Sequence, residues 1–435
     1  MRIALLIPGT GTFYCGSCLR DSALALALRR LGHDAEMVPL YLPFLLEDHG
    51  ADESARVHLG GINMYLQQKV PALRHVPGWL SHVLDAPSLL RWASRRGDMV
   101  DAHALGELTV STLRGESGRQ RGEVERLVRF LAERPRFDVV CLSNVMLIGL
   151  ARSLKESLGV PLVCTLQGEA PFLDALPEPW RGMAWREVTE RAAVVDAFVP
   201  VSAHYGELMR ARLALPAERL RVVHNGIELD GLAPGPGFAG EGPPTIGYLA
   251  RMCPEKGLHT LVDAFVALRR RGTLPGLHLA VAGTCVRADE VYVEAQRAKL
   301  EAAGCAADVE FFPNIEREDK LRFLASLSVL SVPATYGESF GLYVLEALAA
   351  GVPVVQPRHG AFPEVLAATG GGTLVEPDDA TALADGLEQL LRDPERRRAL
   401  ATAGRAAVLE RYGVERMARD FAAVCAEAGA ATHPG

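Results

Sequence analysis

This sequence is short of long apolar runs, of paired cysteines, of short-period repeats and of any large charge excess. No stretch approaches the roughly 18 uninterrupted apolar residues that a spanning helix needs, so a transmembrane segment is not expected. The apolar run Ile3–Ile7 ahead of Pro8 is too short for the core of a secretory leader and reads instead as a first β-strand. The expectation is a cytoplasmic protein. A net charge of −7 supplies no global field for nucleic acid or an anionic membrane, so any anion site must be local. Of 8 cysteines, Cys141, Cys164, Cys253, Cys285, Cys305 and Cys425 lack paired spacing and read as buried reduced thiols. The absence of a short repeat argues against a solenoid or propeller.

What is present is ordinary globular composition, 49% hydrophobic and 23% charged, over 435 residues. That length exceeds one compact core and suggests two or three domains at about 100–200 residues each. Apolar strands alternate with longer helical patterns. Strands are expected at Arg2–Ile7, Ala35–Val38, Asp138–Leu142, Pro161–Thr165, Asp196–Pro200 and Leu220–Val223, with helices near 19–31, 121–133, 145–157, 180–194 and 203–213. After a Gly- and Pro-rich stretch at 231–244 the theme resumes with strands at Thr245–Leu249, Leu277–Ala282, Val309–Phe312, Val329–Val332 and Val354–Gln356. Leu258, Leu261, Val262, Phe265 and Leu268 mark an amphipathic helix, and Glu410–Ala426 reads as a terminal one. Such βαβ alternation implies parallel sheets in an α/β protein. The simplest arrangement is two doubly wound domains facing each other across a cleft, with ligands at the carboxyl ends of the strands.

The most informative stretch is Ala334–Val354, in which Glu338 and Glu346 flank a strand-to-helix turn with seven residues between them. Gly337 and Gly341 suit the turn, Leu342–Ala350 a short helix, and Gly351 with Pro353 its end. Unpaired amides and the positive dipole end of that helix attract an anion, while the carboxylates accept hydrogen bonds from hydroxyls. A phosphate flanked by polyols, as in a nucleotide sugar, fits both. Directly after the strand Thr245–Leu249, the loop Ala250–Gly257 presents Arg251 and Lys256, a fork and a point charge suited to a diphosphate. Fixed cations there would do the charge neutralisation that a divalent metal does elsewhere.

With those residues in hand, together with His224-Asn225-Gly226, Gly32-His33 and Ala350-Gly351-Val352-Pro353, the chain resembles the family 4 retaining glycosyltransferases of the GT-B fold. The resemblance spans most of the chain and is weakest from about 45 to 135. It implies two Rossmann-like domains: residues 1–230 on the acceptor side with an insert over about 45–120, a linker at 231–244, and a nucleotide-sugar domain at 245–412. A terminal helix within 413–435 would cross back to the first domain. It further implies that Arg251 and Lys256 bind the diphosphate and stabilise the leaving group, and that Glu338 holds sugar hydroxyls. Amides at Phe340, Gly341 and Leu342 would contact sugar and phosphate, and Glu346 would hold the ribose diol. The activity so implied is transfer of a sugar to an acceptor that the sequence does not identify, with retention at the anomeric carbon and with no metal or other cofactor required.

Two positions depart from the family pattern. In the loop Pro8–Cys18, Gly16 stands where relatives place the second glycine of a pair touching donor phosphate or sugar, and Cys15 replaces the first. A Cys-x-x-Cys pair at a helix entrance could instead be a redox couple or half a metal site, but no matching second pair exists to complete one. At the end of the strand 161–165, Gln167 replaces a histidine; it can bond a sugar or acceptor hydroxyl but cannot titrate. Nearby Glu169, on a loop, reads as solvated. A noncatalytic nucleotide-sugar-binding protein is the alternative that Gln167 favours. The basic stretch from Gly60 through Lys69, Arg74, Trp79, Arg91, Trp92 and Arg96 reads as a helical decoration, or as an acceptor-binding surface or a weak peripheral contact at the inner membrane face.

Overall fold

The computed structural model describes residues 1–8, 16–40, 45–46, 50–51, 102–235, 238 and 242–432. By packing it divides into two units, Met1–His224 with Val414–Gly435, and Asn225–Gly413. The Gly- and Pro-rich stretch 231–244 therefore falls inside the second unit.

The first unit begins with β1 (Arg2–Ile7), α1 (Gly16–Arg30), β2 (Asp34–Pro39) and the two-residue antiparallel strands β3 (Leu45–Leu46) and β4 (Gly50–Ala51). It continues with α2 (Ala102–Leu113), α3 (Arg121–Ala132), β5 (Val139–Leu142), α4 (Ala151–Leu158), β6 (Leu162–Leu166), α5 (Ala170–Asp174), α6 (Trp180–Ala192), β7 (Ala197–Pro200) and α7 (Ala203–Leu213). The sheet order is β2-β1-β5-β6-β7, every pair parallel. Strand alternation sends Ile3, Leu5 and Ile7 to one face, against Leu24 and Leu28 of α1. Ala4 and Leu6 go to the other, in a core with Val124 and Leu127 of α3. Burial on both faces is why these strands read as continuous apolar runs rather than alternating ones.

The second unit runs β8 (Thr245–Leu249), α8 (Leu258–Arg271), β9 (His278–Gly283), α9 (Glu290–Ala302), β10 (Val309–Pro313), α10 (Arg317–Ser326) and β11 (Val329–Leu330). It closes with α11 (Leu342–Ala349), β12 (Val354–Pro357), α12 (Phe362–Thr369), β13 (Gly372–Val375), α13 (Ala380–Leu391) and α14 (Pro394–Arg411). Its sheet is also all parallel, in the order β10-β9-β8-β11-β12-β13. The chain moves outward from β8 to β10, then returns to lay β11 on the other side of β8. In open α/β sheets ligands bind outside the carboxyl ends of strands at such a reversal.

Three sequence expectations are corrected. The terminal helix is two helices: α14 stops at Arg411, and α15 (Val414–Thr432) begins after Tyr412 and Gly413. Ile227 N–H donates to the Tyr412 carbonyl at 2.9 Å, a pairing that takes Tyr412 out of any continuous helix. α15 then packs Met417, Phe421 and Val424 on the same core face as α1. Leu220–Val223 is not a strand: only Leu220 forms a bridge, to Phe198; Arg221 and Val223 N–H donate to the Phe198 and Pro200 carbonyls at 3.0 and 3.1 Å, but Pro200 has no N–H to return a bond. The helix near 145–157 starts as a 3-10 segment, Val145–Leu150, with the Asn144 side chain accepting from Met146 N–H at 3.1 Å. No helix among the described residues is long and apolar enough to cross a membrane.

Candidate active site

The loops that follow β8 and β11 lie side by side because those strands are hydrogen-bonded neighbours, Val329 opposite Ile246 and Leu330 opposite Gly247. Gly257 permits their close approach. Its φ is 71°, and a Cβ there would sit 1.7 Å from the Pro333 carbonyl oxygen, so only glycine fits. Thr335 N–H donates to the Glu255 carbonyl at 2.9 Å and ties the two loops again. The Glu338 backbone is held from the other side, its carbonyl accepting from Ala361 N–H at 2.9 Å.

This packing brings Lys256 and Glu338 into a hydrogen-bonded ion pair. Lys256 Nζ also donates to the Tyr336 hydroxyl at 2.6 Å, and the Tyr343 hydroxyl donates to Glu338 Oε2 at 2.9 Å. Burial works against the Lys256 charge, but the Glu338 carboxylate more than offsets it and holds the ammonium protonated well past the ordinary lysine range. Burial and the same carboxylate push the Tyr336 hydroxyl up to about 12. Glu338 is 6% exposed and is thus a buried acceptor with its hydrogen bonds supplied from within the unit.

Arg251, on the same loop as Lys256, makes a two-bond fork with Asp289 just ahead of α9: Nε to Oδ2 and Nη2 to Oδ1, both 2.9 Å. Hydrogen bonding to Asp289 raises the guanidinium pKa further, so it is a permanent cation. Glu346, a turn into α11, accepts from Lys320 Nζ of α10 at 3.0 Å. Beside these loops is a cavity of ≈ 770 Å³ whose walls include Met252, Cys285, Glu294, Arg297, Phe311 and Asn314. The Arg297 guanidinium lies 4.0 Å from the centre of the Phe311 ring, and Asn314 clamps the Cys285 backbone with bonds of 3.0 and 3.1 Å.

The amino end of α11 follows directly on the loop that carries Glu338. Gly341 precedes it at φ 86° with no side chain capping the helix; Val344 N–H donates to the Gly341 carbonyl at 2.9 Å, while the amides of Leu342 and Tyr343 precede the first intrahelical bond. Phe340 is buried and Leu342 half-buried. Arg251, Lys256, Glu338, Phe340, Gly341, Leu342 and Glu346 thus all belong to the loops after β8 and β11 or to the helix that follows.

Gly16 and Gln167 belong to the first unit, where Gly16 opens α1 and Gln167 follows β6. The Gln167 amide nitrogen donates to Ser143 Oγ at 2.8 Å, Thr165 Oγ1 at 2.9 Å and Asp21 Oδ1 at 3.2 Å. Glu169 is not solvated. It is 6% exposed and accepts from Gln167 N–H and Gly168 N–H at 3.0 Å and from the Tyr205 hydroxyl at 2.9 Å. Burial raises its carboxyl pKa, with those donors pulling the other way. Cys15, the Cys18 side chain and the tryptophans of the basic stretch lie outside the described residues. Among the described residues no group of three or more His, Cys, Asp or Glu could hold a metal ion, and the six other cysteines are free thiols.

Two family models match the chain, Glycosyltransferase Family 4 over residues 59–230 and Glycosyl transferases group 1 over 236–407. The chain belongs to the family 4 glycosyltransferases. Curated relatives of this glycosyltransferase include a phosphatidyl-myo-inositol mannosyltransferase of Mycobacterium leprae, 34% identical over 43% of this chain and 48% of that one. Another is a D-inositol 3-phosphate glycosyltransferase of Mycobacterium avium, 30% identical over 55% of this chain and 58% of that one. The chain spans about half the length of the curated relatives it matches. Among solved structures, Anabaena HepE in complex with UDP superposes with a TM-score of 0.69 at 17% identity, covering 98% of this chain and 100% of that one. Sucrose-phosphate synthase from Thermosynechococcus elongatus gives 0.71 at 18%, covering 99% and 100%. The fold is therefore GT-B.

Sequence reasoning missed several residues that bond to the candidate site residues. Asp289 had a faint signal, an acidic residue at the head of a helical pattern. Lys320 had none, since its contact with Glu346 crosses from one strand-helix unit to the next; Tyr336 and Tyr343 lie two and five residues from Glu338 and were read only as parts of the turn and the helix.

Proposed function

We propose that the protein transfers a sugar from a nucleoside diphosphate sugar to an acceptor hydroxyl, with retention at the anomeric carbon. The observation that carries this reading is the meeting of Lys256, Glu338 and the open amino end of α11 where the sheet order reverses between β8 and β11. Arg251 and Lys256 face the diphosphate, and the α11 amides at Phe340, Gly341 and Leu342 add partial positive charge. As the anomeric C–O bond breaks, its electron pair leaves on phosphate, and fixed cations there stabilise the transition state more than the ground state. They do the work a divalent metal does elsewhere, so the account calls for no cofactor.

Glu338 holds sugar hydroxyls and Glu346 the ribose diol, both as carboxylate acceptors. The ≈ 770 Å³ cavity beside Met252 has the size of a ligand site and is the proposed seat of the base. Gly16 contacts donor phosphate or sugar, and Gln167 an acceptor or sugar hydroxyl. Gln167 cannot take a proton, so the acceptor's proton goes to the departing phosphate oxygen, which shares a face with the incoming hydroxyl when configuration is retained.

The relatives' names direct the first choice of substrates. One is a GDP-mannose-dependent phosphatidylinositol monomannoside mannosyltransferase of Mycolicibacterium smegmatis, 32% identical over 45% of this chain. GDP-mannose with an inositol-containing acceptor is thus the leading pair. With a lipid acceptor, the basic stretch from Gly60 to Arg96 would meet the membrane face. The test is a panel of UDP-, GDP- and ADP-sugars, with and without myo-inositol phosphate or phosphatidylinositol vesicles, followed by NMR of the product's anomeric coupling. Transfer with the donor's configuration supports the reading; an inverted product, or no product and no donor hydrolysis, defeats it.

A further inference from the structure

Arg251 and Asp289 are unequal partners. The Arg251 side chain is 51% exposed and Asp289 5%, so the buried carboxylate holds the exposed guanidinium rather than the reverse. Asp289 is itself fixed, accepting from Val286 N–H at 3.2 Å at the head of α9, where a helix amino end favours negative charge. Two bonds of 2.9 Å set both the position and the plane of the guanidinium. Nε–H and one Nη2–H are thereby committed, and the remaining N–H groups can face an anion.

We propose that Asp289 is the positioning residue for Arg251, fixing the aim of the guanidinium at the departing diphosphate. The inference rests on the reading that Arg251 contacts that diphosphate. Its consequence is a split between binding and turnover. Without the Asp289 charge, Arg251 attracts a resting diphosphate at least as well, because a neighbouring negative charge has gone. The guanidinium is then free to rotate, and misplacement of about an ångström costs on the order of 10²-fold in rate. A merely structural ion pair would lower stability, affinity and rate together.

The experiment measures kcat and KM for the donor turned over by the wild type, and calorimetric affinities for UDP, GDP and ADP. It compares Asp289→Asn, Asp289→Glu, Arg251→Ala and the double variant Arg251→Ala/Asp289→Asn. Expected is a kcat loss of roughly 10- to 100-fold in Asp289→Asn with diphosphate affinity kept within about threefold, partial recovery in Asp289→Glu, and a double variant no slower than Arg251→Ala. Should Asp289→Asn fold poorly, Arg251→Lys reads the same geometry, since an ammonium cannot form the fork and should lose kcat alike. Unchanged kcat in Asp289→Asn or Arg251→Lys, or parallel losses of affinity and rate that add in the double variant, would overturn the inference. An Arg251→Ala protein with wild-type kcat and affinity would instead overturn the underlying reading of Arg251.

Discussion

Lys256 and Glu338, 82 positions apart in the chain, form an ion pair at the carboxyl ends of two hydrogen-bonded strands. The same arrangement recurs twice nearby, in Arg251 with Asp289 and Lys320 with Glu346. Three cations are each matched by a carboxylate, so under the proposed function an arriving diphosphate would compete with Glu338 for Lys256. Transfer of Lys256 to phosphate would release Glu338 to accept sugar hydroxyls.

Lys256→Met removes the cation while keeping an apolar stem of similar length. Loss of one preorganised electrostatic contact should lower kcat by about 10²–10³-fold in a donor-turnover assay. Glu338 keeps the Tyr336 and Tyr343 hydroxyls, so the thermodynamic cost of its lost partner should be modest, about 1–3 kcal/mol by denaturant melt. A variant as active as the wild type would show that Lys256 serves packing alone.

The two glutamates should separate by assay. Glu346→Gln should weaken calorimetric affinity for the nucleoside diphosphate by roughly tenfold, the worth of one charge-assisted hydrogen bond. Glu338→Gln should leave that affinity near wild type and change the ratio of turnover between donors that differ in one sugar hydroxyl. Full nucleotide affinity in Glu346→Gln would contradict this division.

Gly257→Ala tests whether the loops must touch. With φ at 71° and the Pro333 oxygen 1.7 Å from the added Cβ, the two loops must separate. A loss of more than about 2 kcal/mol in stability is expected, together with weaker diphosphate binding because the loop carrying Arg251 and Lys256 moves away from the amino end of α11. Normal affinity in a folded variant would show that the ion pair is not held by this contact.

Glu169 gives a pH signature. Burial raises its folded-state pKa above the ordinary 4.5, so the folded chain binds that proton more tightly than the unfolded chain. Its contribution to stability is complete below about pH 4.5 and is lost as pH rises through the raised value. Melting temperature measured against pH should therefore fall less steeply over that window in Glu169→Gln than in the wild type. The variant should also melt lower throughout, because an amide nitrogen would face N–H and O–H donors. Equal slopes would mean that Glu169 titrates normally.

The fold was legible in the sequence wherever an apolar strand met a clear turn, as at Thr245–Leu249, which the structure reproduces residue for residue. It failed where tertiary pairing decided the backbone. Tyr412 leaves the helix because Ile227 claims its carbonyl, and nothing local to 410–426 announces this. The site was legible in outline for a physical reason: Arg251, Lys256, Glu338 and Glu346 each sit at a fixed offset from a strand end. Their partners Asp289 and Lys320 come from other strand-helix units, so no spacing in the chain links them, while Tyr343 lies five residues beyond Glu338 on the helix that follows it. Glu169 was misread because loop position suggests solvent, whereas Tyr205 and the folded-back amides of Gln167 and Gly168 enclose it.

The most direct test of the central claim is nucleoside diphosphate released from a UDP-, GDP- and ADP-sugar panel, followed by phosphorus NMR for the wild type and Arg251→Ala. The account predicts release from at least one donor by the wild type and a loss of about 10²-fold or more in the variant. Tight donor binding without release would contradict catalysis and favour a nucleotide-sugar sensor, while equal release by both proteins would remove Arg251 from the chemistry.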